Sequence, residues 1–266
     1  MLSSLSTKIP IKPFMVGFLG FILAYASIIL DTPDHFLRGV FMVGLYALYD
    51  LVWTYARDRI WYVPLSSFIS GLVLSLVATP SPSWWLVMFM PFCAIVAKQI
   101  IHLGKERHIF NPAAFAIVVA FLLFGVEPSW WGVAWIESLT WPHAFLLAGG
   151  IFILWRQRRF HVALPFWGIY AVWLLSILKL ETFLSYFDPT LFFFMTVMLI
   201  EPMTSTFPRY RDRVWYALFV GVFVVGTTWL QTFSFGIVSR ADPLIVGLLM
   251  GNLLASILFL PKAKVQ

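Results

Sequence analysis

The sequence predicts an all-α polytopic membrane protein of about ten transmembrane helices, arranged as two inverted five-helix repeats within a single membrane domain spanning 1–266. Three observations predict it. First, 61% of the 266 residues are apolar and only 11% are charged, against about 45–50% and roughly 25% in soluble domains. With a mean hydropathy of +0.89, one soluble core cannot bury that much apolar surface at this length. A soluble enzyme, a disordered chain and a disulfide scaffold are all excluded. Second, the basic residues alternate between successive inter-segment stretches. Third, Pro and Asx punctuation recurs in the two halves.

The elements follow in order. Segment one, 11–30, comes after Lys8 and Lys12; its apolar run continues past Ala24-Tyr25-Ala26, so it reads as a span rather than a cleaved signal peptide. Segment two, 39–56, ends at Arg57 and Arg59. Segment three, 66–79, has 14 residues and stops at Pro80. Segment four covers 84–101. Segment five, 111–125, opens with Asn111-Pro112, an N-cap followed by proline at the first helical position. Segment six, 143–155, runs into Arg156, Arg158 and Arg159, and segment seven covers 161–178. Segment eight, 188–201, opens with Asp188-Pro189, has 14 residues and stops at Pro202. Segment nine, 214–233, follows Arg209, Arg211 and Arg213. Segment ten, 242–260, opens with Asp242-Pro243 and carries Gly247-x-x-x-Gly251, a pattern for tight helix contact.

Placing the N-terminus inside leaves only Arg38, Lys179 and Arg240 outside, so 15 of the 18 Lys and Arg residues fall inside. The positive-inside rule therefore expects both termini to be cytoplasmic, in a multi-pass protein of the inner membrane. The same rule accounts for the net charge of +6 without nucleic acid as a partner. Trp84, Trp85, Trp130, Trp131, Trp135 and Trp141 lie at segment ends and read as interfacial anchors in membrane lipid.

Ten spans divide into repeats of about 11–125 and 143–260, running in opposite directions. The third and eighth segments occupy matching places, and each reaches about 21 Å of a bilayer core of about 30 Å. Short segments at equivalent positions point to a central site. Their ends are expected to meet non-helical backbone enclosed by protein, with helix-terminal partial charges available to a ligand or ion.

Few polar residues enter the spans. Asp50 lies beside Tyr46 and Tyr49, with Arg57 and Arg59 about two turns on; it pairs with a basic neighbour or handles protons or cations. Asp188, Asp242 and Asn252 are further candidates for ion or proton handling. Ser66, Ser67, Ser70 and Ser75 share the third segment, where small polar residues also permit close packing. The richest polar stretches are Lys98-Gln99 through His102 to Asn111-Pro112, and Glu201-Pro202-Met203-Thr204-Ser205-Thr206. Together they would form a basic, hydroxyl-rich pocket for a phosphate or a planar polar ring, or else an ordinary pair of loops. Cys93 is alone and reads as a small packed residue; a conventional iron–sulfur cluster needs four ligands. His35, His102, His108, His143 and His161 all lie near segment ends, so paired midplane haem ligands are not expected, nor is a metal site. No dinucleotide fingerprint, phosphate loop or Ser/His/Asp arrangement stands out.

These stretches resemble the NqrB/RnfD family, membrane subunits of the sodium-pumping NADH:quinone oxidoreductase and of the Rnf electron-transport complex. The residues that carry the resemblance are Ser70-Gly71-Leu72, Lys98-Gln99 (with Ala97 where the family has Gly), Phe110-Asn111-Pro112-Ala113, Glu201-Pro202-Met203-Thr204-Ser205 (with Glu for the family's Asp), Arg213, Gly221 and Leu249-Met250-Gly251-Asn252. The resemblance runs from about 66 to 260. It implies a ten-helix fold with inverted repeats and a flavin, FMN or riboflavin, held by Ser70, Lys98, Gln99, Asn111, Glu201, Thr204, Ser205 and Thr206. It also implies electron transfer, sometimes ion-coupled, between a soluble reductase or other membrane redox subunits. Family members carry FMN covalently on a Thr in a Ser-Gly-Ala-Thr-type motif, which this sequence lacks. Thr204 and Thr206 are the nearest hydroxyls, so the expectation is a non-covalent flavin, or none. The leading expectation is thus a flavin-binding redox subunit of a larger complex rather than a stand-alone enzyme. The alternative is a transporter or channel for a small solute, ion or flavin-like vitamin. The sequence leaves a homo-oligomer open.

Overall fold

The computed structural model describes residues 10–102, 107–137, 140–177, 188–233 and 236–259. Among these the regular secondary structure is all helical, apart from one isolated bridge between His102 and His108. Ten apolar helices coincide with the ten segments: α1 Ile11–Ile29, α2 Pro33–Asp58, α3 Leu65–Val77, α4 Trp84–Gln99, α5 Pro112–Phe124, α6 Trp141–Gln157, α7 Phe160–Ile177, α8 Pro189–Phe193 continuing as a π-turn over Phe194–Met198, α10 Tyr210–Gln231 and α11 Pro243–Phe259. A four-residue helix, α9 Pro202–Ser205, and a 3₁₀ turn, Gly236–Arg240, fill the connections. By length and composition α1, α2, α7 and α10 can each cross a membrane unaided. The protein is an all-α polytopic membrane protein.

Burial explains how short helices persist beside long ones. In α1 the enclosed residues are Met15, Phe18, Leu19, Ile22, Leu23, Ala26 and Ser27, one stripe at helical spacing. Its other face is apolar too and is presented to lipid. By contrast α3 is enclosed throughout from Gly71 to Val77, and α8 with its π-turn is enclosed from Pro189 to Met198. The two short helices form the centre of the bundle, so neither needs to match the bilayer thickness.

Packing order recurs between the halves. In the first, α1 meets α2 and α3, α2 meets α3 and α4, and α4 meets α5. In the second, α6 meets α7 and α8, α7 meets α8 and α10, and α10 meets α11. The halves join through α1 against α6 and α5 against α11. The α10–α11 contact is the close one that Gly247 and Gly251 foretold: a Cβ on Gly247 would fall 2.8 Å from the backbone N of Val224.

The end of α3 shows what becomes of backbone that stops short inside a membrane protein. Its last carbonyls have no partner within the helix. Residues after α5 fold back to supply them. Ser129 N and Trp130 N donate to the Val77 carbonyl at 3.0 and 3.2 Å, and Gly132 N donates to Leu76 at 3.0 Å. Trp131 Nε1 donates to Ser75 at 2.7 Å, and Ser129 Oγ donates to Ala78 at 2.9 Å. This corrects the reading of Trp130 and Trp131 as lipid anchors: both are buried, and their indoles serve as hydrogen-bond donors inside the fold. Trp84, Trp85 and Trp141 are exposed, as anchors should be.

Candidate functional site

The Asx-Pro helix starts form as their chemistry dictates. Asn111 Oδ1 accepts Ala114 N at 3.0 Å, Asp188 Oδ1 accepts Thr190 N at 2.9 Å, and Asp242 Oδ1 accepts Ile245 N at 3.0 Å. Asp242 also accepts Trp130 Nε1 at 2.7 Å through its second oxygen. Asp188 and Asp242, expected as ion or proton handlers, are therefore occupied as helix caps. Asn111 uses its remaining group differently: Nδ2 reaches the Met198 carbonyl at 3.4 Å, at the broken end of α8. Tyr216 Oη donates to the next carbonyl, Leu199, at 3.2 Å. One side chain of the first half and one of the second thus satisfy the interruption that the π-turn and Pro202 create.

Around this interruption lies a cavity of about 420 Å³. Four of the residues expected to bind a cofactor line it: Ser70, Lys98, Asn111 and Glu201. They come from α3, from the end of α4, from the cap of α5 and from the break before α9. Ile11, Met15, Ile69, Val73, Val197 and Met198 give it apolar walls. Lys12, His108, Gln157 and Arg159 also line it; in the sequence Lys12 and Arg159 carry only a signal of membrane sidedness. Burial and the nearby Lys98 charge pull His108 down to about 4, so the ring is neutral at pH 7.

The other expected residues stand just outside. Thr204 Oγ1 donates to the Glu201 carbonyl at 3.3 Å and Ser205 Oγ donates to it at 2.7 Å. Thr206 Oγ1 accepts Arg159 Nη2. These hydroxyls shape the turn after Glu201, and none of the three lines the cavity. Gln99 does not line the cavity; it donates to Asp50 Oδ1 at 2.7 Å and accepts Arg57 Nη1 at 3.0 Å.

Asp50 organises this flank. It is fully buried. Its Oδ2 accepts Ser67 Oγ at 2.6 Å, Lys98 Nζ at 2.8 Å and the Tyr62 hydroxyl. The basic partner is Lys98 of α4, not Arg57 of its own helix or Arg59 just past its end. Arg57 turns to Asp58 and Gln99, and Arg59 lies over the Tyr55 ring. Burial and the bond to Asp50 push the Tyr62 phenol up to about 12. Lys98 also donates to Ser67 at 2.7 Å and to Ser66 at 3.2 Å, which leaves its ammonium fixed at the cavity wall with its charge largely balanced. Asn252 sits elsewhere, fully enclosed on α11, and neither polar atom of its amide has a partner among the described residues. Cys93 is buried, and among the described residues no group of three His, Cys, Asp or Glu is placed to hold a metal.

The fold and this cavity define a polytopic membrane protein with a ligand-sized, apolar-walled cavity that carries a few polar and charged groups at one end of its central helices. No family model matches the chain. It is similar to RnfD proteins, named as components of the ion-translocating oxidoreductase complex. Identity is 36% over 66 residues to that of Aliivibrio salmonicida and 35% over 66 to that of Buchnera aphidicola, each match covering 25% of this chain and 19% of the relative. For the Escherichia coli protein it is 36% over 67 residues, with the same coverage. The matched segment spans about a fifth of the length of these relatives. The similarity agrees with the resemblance to the RnfD side of the family read from the motifs.

Proposed function

We propose that this protein is a membrane electron-transfer subunit of an ion-translocating oxidoreductase complex, holding a flavin non-covalently in the cavity beneath the α8 interruption. The observation that carries the reading is the convergence of Lys98, Asn111 and Glu201, from both halves of the chain, on one cavity with apolar walls. Its volume falls in the range of about 300–1,000 Å³ usual for small-molecule sites. The donor set suits the ring. A flavin has a polar pyrimidine edge with carbonyl acceptors and an N–H donor, and two apolar faces. Asn111 and Gln157 supply donors, Lys98 supplies a fixed positive charge, Glu201 supplies an acceptor, and Met15, Val73 and Val197 offer apolar contact.

When bound, the flavin would supply one- and two-electron redox chemistry; the protein would bind, orient and desolvate it. Thr204 and Thr206 are tied into the Glu201 turn and to Arg159, which favours non-covalent attachment. The two halves, 11–125 and 143–260, are read as inverted copies of one five-helix unit, supported by their recurring packing order. The cavity end, which carries Lys12, Lys98, Arg107, Arg159 and Arg213, would face the cytoplasm by the positive-inside rule. A soluble reductase or other membrane redox subunits would then exchange electrons there.

The test is a visible spectrum of protein purified in mild detergent, before and after acid precipitation. Yellow flavin released into the supernatant supports the reading. A colourless protein that also fails to take up added flavin overturns it.

A further inference from the structure

Three arginines converge on the turn that follows α9. The Arg107 guanidinium carbon lies 4.7 Å from the centre of the Phe207 ring. Arg213 Nε donates to the Phe207 carbonyl at 2.7 Å. Arg159 donates to the Ser205 carbonyl at 3.5 Å and to Thr206 Oγ1. Phe207 is fully buried, so all three cations are gathered around one fixed point. None has a carboxylate within ion-pairing distance among the described residues.

Such a cluster is costly alone. Arg159 is buried and Arg107 half-buried; burial, and then the charge of Arg213, hold both below the ordinary arginine range. The protein's own acceptors use little of the donor capacity that three five-donor guanidiniums offer. Arg107 Nε is buried with no acceptor among the described residues. An anion drawn among them would relieve the repulsion and take up the free N–H groups. Phosphate is the anion whose several oxygens and charge match converging guanidinium forks. The 22-residue helix α10 begins three positions after Phe207 and adds partial positive charge.

The position selects the kind of phosphate. Arg159 belongs both to the cluster and to the cavity lining, and Arg107 immediately precedes His108, another lining residue. We propose that Arg107, Arg159 and Arg213 form a phosphate-binding site at the cavity edge. It takes the phosphate of a ligand whose ring occupies the cavity, and so selects FMN over riboflavin. The ring's identity rests on the flavin reading above; the phosphate rests on the arginines alone.

The experiment measures binding of FMN and of riboflavin to detergent-purified protein by quenching of flavin fluorescence, with thermal unfolding in inorganic phosphate as a second readout. The expected result is FMN at least about tenfold tighter than riboflavin, competition by inorganic phosphate against FMN alone, and a preference near one in R107Q. One additional charge-assisted hydrogen bond is enough for that factor. R107K, which keeps the charge, should retain part of the preference. Equal affinity of the wild type for both flavins, with no stabilisation by inorganic phosphate, overturns the proposal whether or not R107Q folds. Should neither flavin bind while inorganic phosphate raises the melting temperature of the wild type but not of R107Q, the phosphate site stands and the flavin reading fails. Should only nanodiscs containing phosphatidic acid stabilise the protein, the phosphate is a lipid headgroup and the claim for a cavity ligand is overturned.

Discussion

Lys98 Nζ and Asp50 Oδ2 lie 2.8 Å apart across the α2–α4 contact, with the carboxylate fully buried and the lysine side chain only 11% exposed. The pair anchors a side chain of the cavity wall to the middle of a neighbouring helix. Asp50→Asn leaves the ammonium without its counter-charge and should destabilise the protein by about 3 kcal/mol. Asp50→Asn combined with Lys98→Met removes both charges and should recover most of the loss. Thermal unfolding of these two variants and of Lys98→Met alone, in one detergent, closes the cycle, and simple additivity would show that the two residues do not interact.

Asn111 performs two tasks with one amide. Asn111→Asp keeps the acceptor for Ala114 N but loses the donor to Met198; Asn111→Ala loses both. The alanine variant should cost about 1–2 kcal/mol through the cap alone, and the aspartate variant less. Bound flavin per mole of protein should fall in both. Full occupancy in both would remove Asn111 from the proposed binding set.

Trp131→Phe keeps a smaller aromatic ring but deletes the indole donor to the Ser75 carbonyl. The buried carbonyl loses its partner at a cost of about 1–3 kcal/mol. A drop in melting temperature of several degrees in detergent is expected. Trp141→Phe, at an exposed ring, should change it little, and equal shifts in the two variants would contradict the assigned roles.

His108 makes stability pH-dependent. Its folded value of about 4 lies below the ordinary histidine value of 6.5, so the unfolded chain binds the extra proton more readily. Stability from this group is complete above about pH 6.5 and declines as pH falls toward 4. By pH 5 the wild type should lose of the order of 1–2 kcal/mol that His108→Gln retains. Melting temperatures of the two proteins from pH 5 to pH 8 test the sign, and parallel curves would refute it.

Gly247 admits no larger side chain without moving α10. Gly247→Val places carbon against the Val224 backbone and should cost more than about 2 kcal/mol by overpacking. Gly226→Ala, on open α10 surface, should be tolerated. Size-exclusion profiles and melting temperatures of the two variants make the comparison.

The helices were legible because apolar runs, Asx-Pro starts and proline stops are local signals. Asn111, Asp188 and Asp242 cap where their chemistry says they must. The four cavity residues from polar stretches were legible for a related reason: polar side chains scarce enough to be noticed are scarce because something uses them. What could not be read was direction. Lys98 and Gln99 are adjacent and both bond Asp50, yet only Lys98 also lines the cavity, while Gln99 reaches on to Arg57. Asp50 lies seven positions before Arg57 but bonds Lys98, 48 positions away, because α4 packs beside α2. Arg159 looked like one more basic residue at a span end, since sidedness and inward pointing leave the same mark in composition. The return of Ser129–Gly132 under α3 had no signal beyond its tryptophans, whose amphipathic rings suit a lipid interface and a buried carbonyl equally well.

That return fixes an order of events during synthesis. The last carbonyls of α3 gain their partners only when a stretch some fifty residues downstream has left the ribosome. At about 5–20 residues per second, the nascent helix waits for several seconds with its end unsealed. Until then α3 must shelter in the insertion machinery or among α1 and α2. The bundle's central helix is therefore threaded early and locked late, and a chain cut between α5 and α6, short of Ser129, should never hold it.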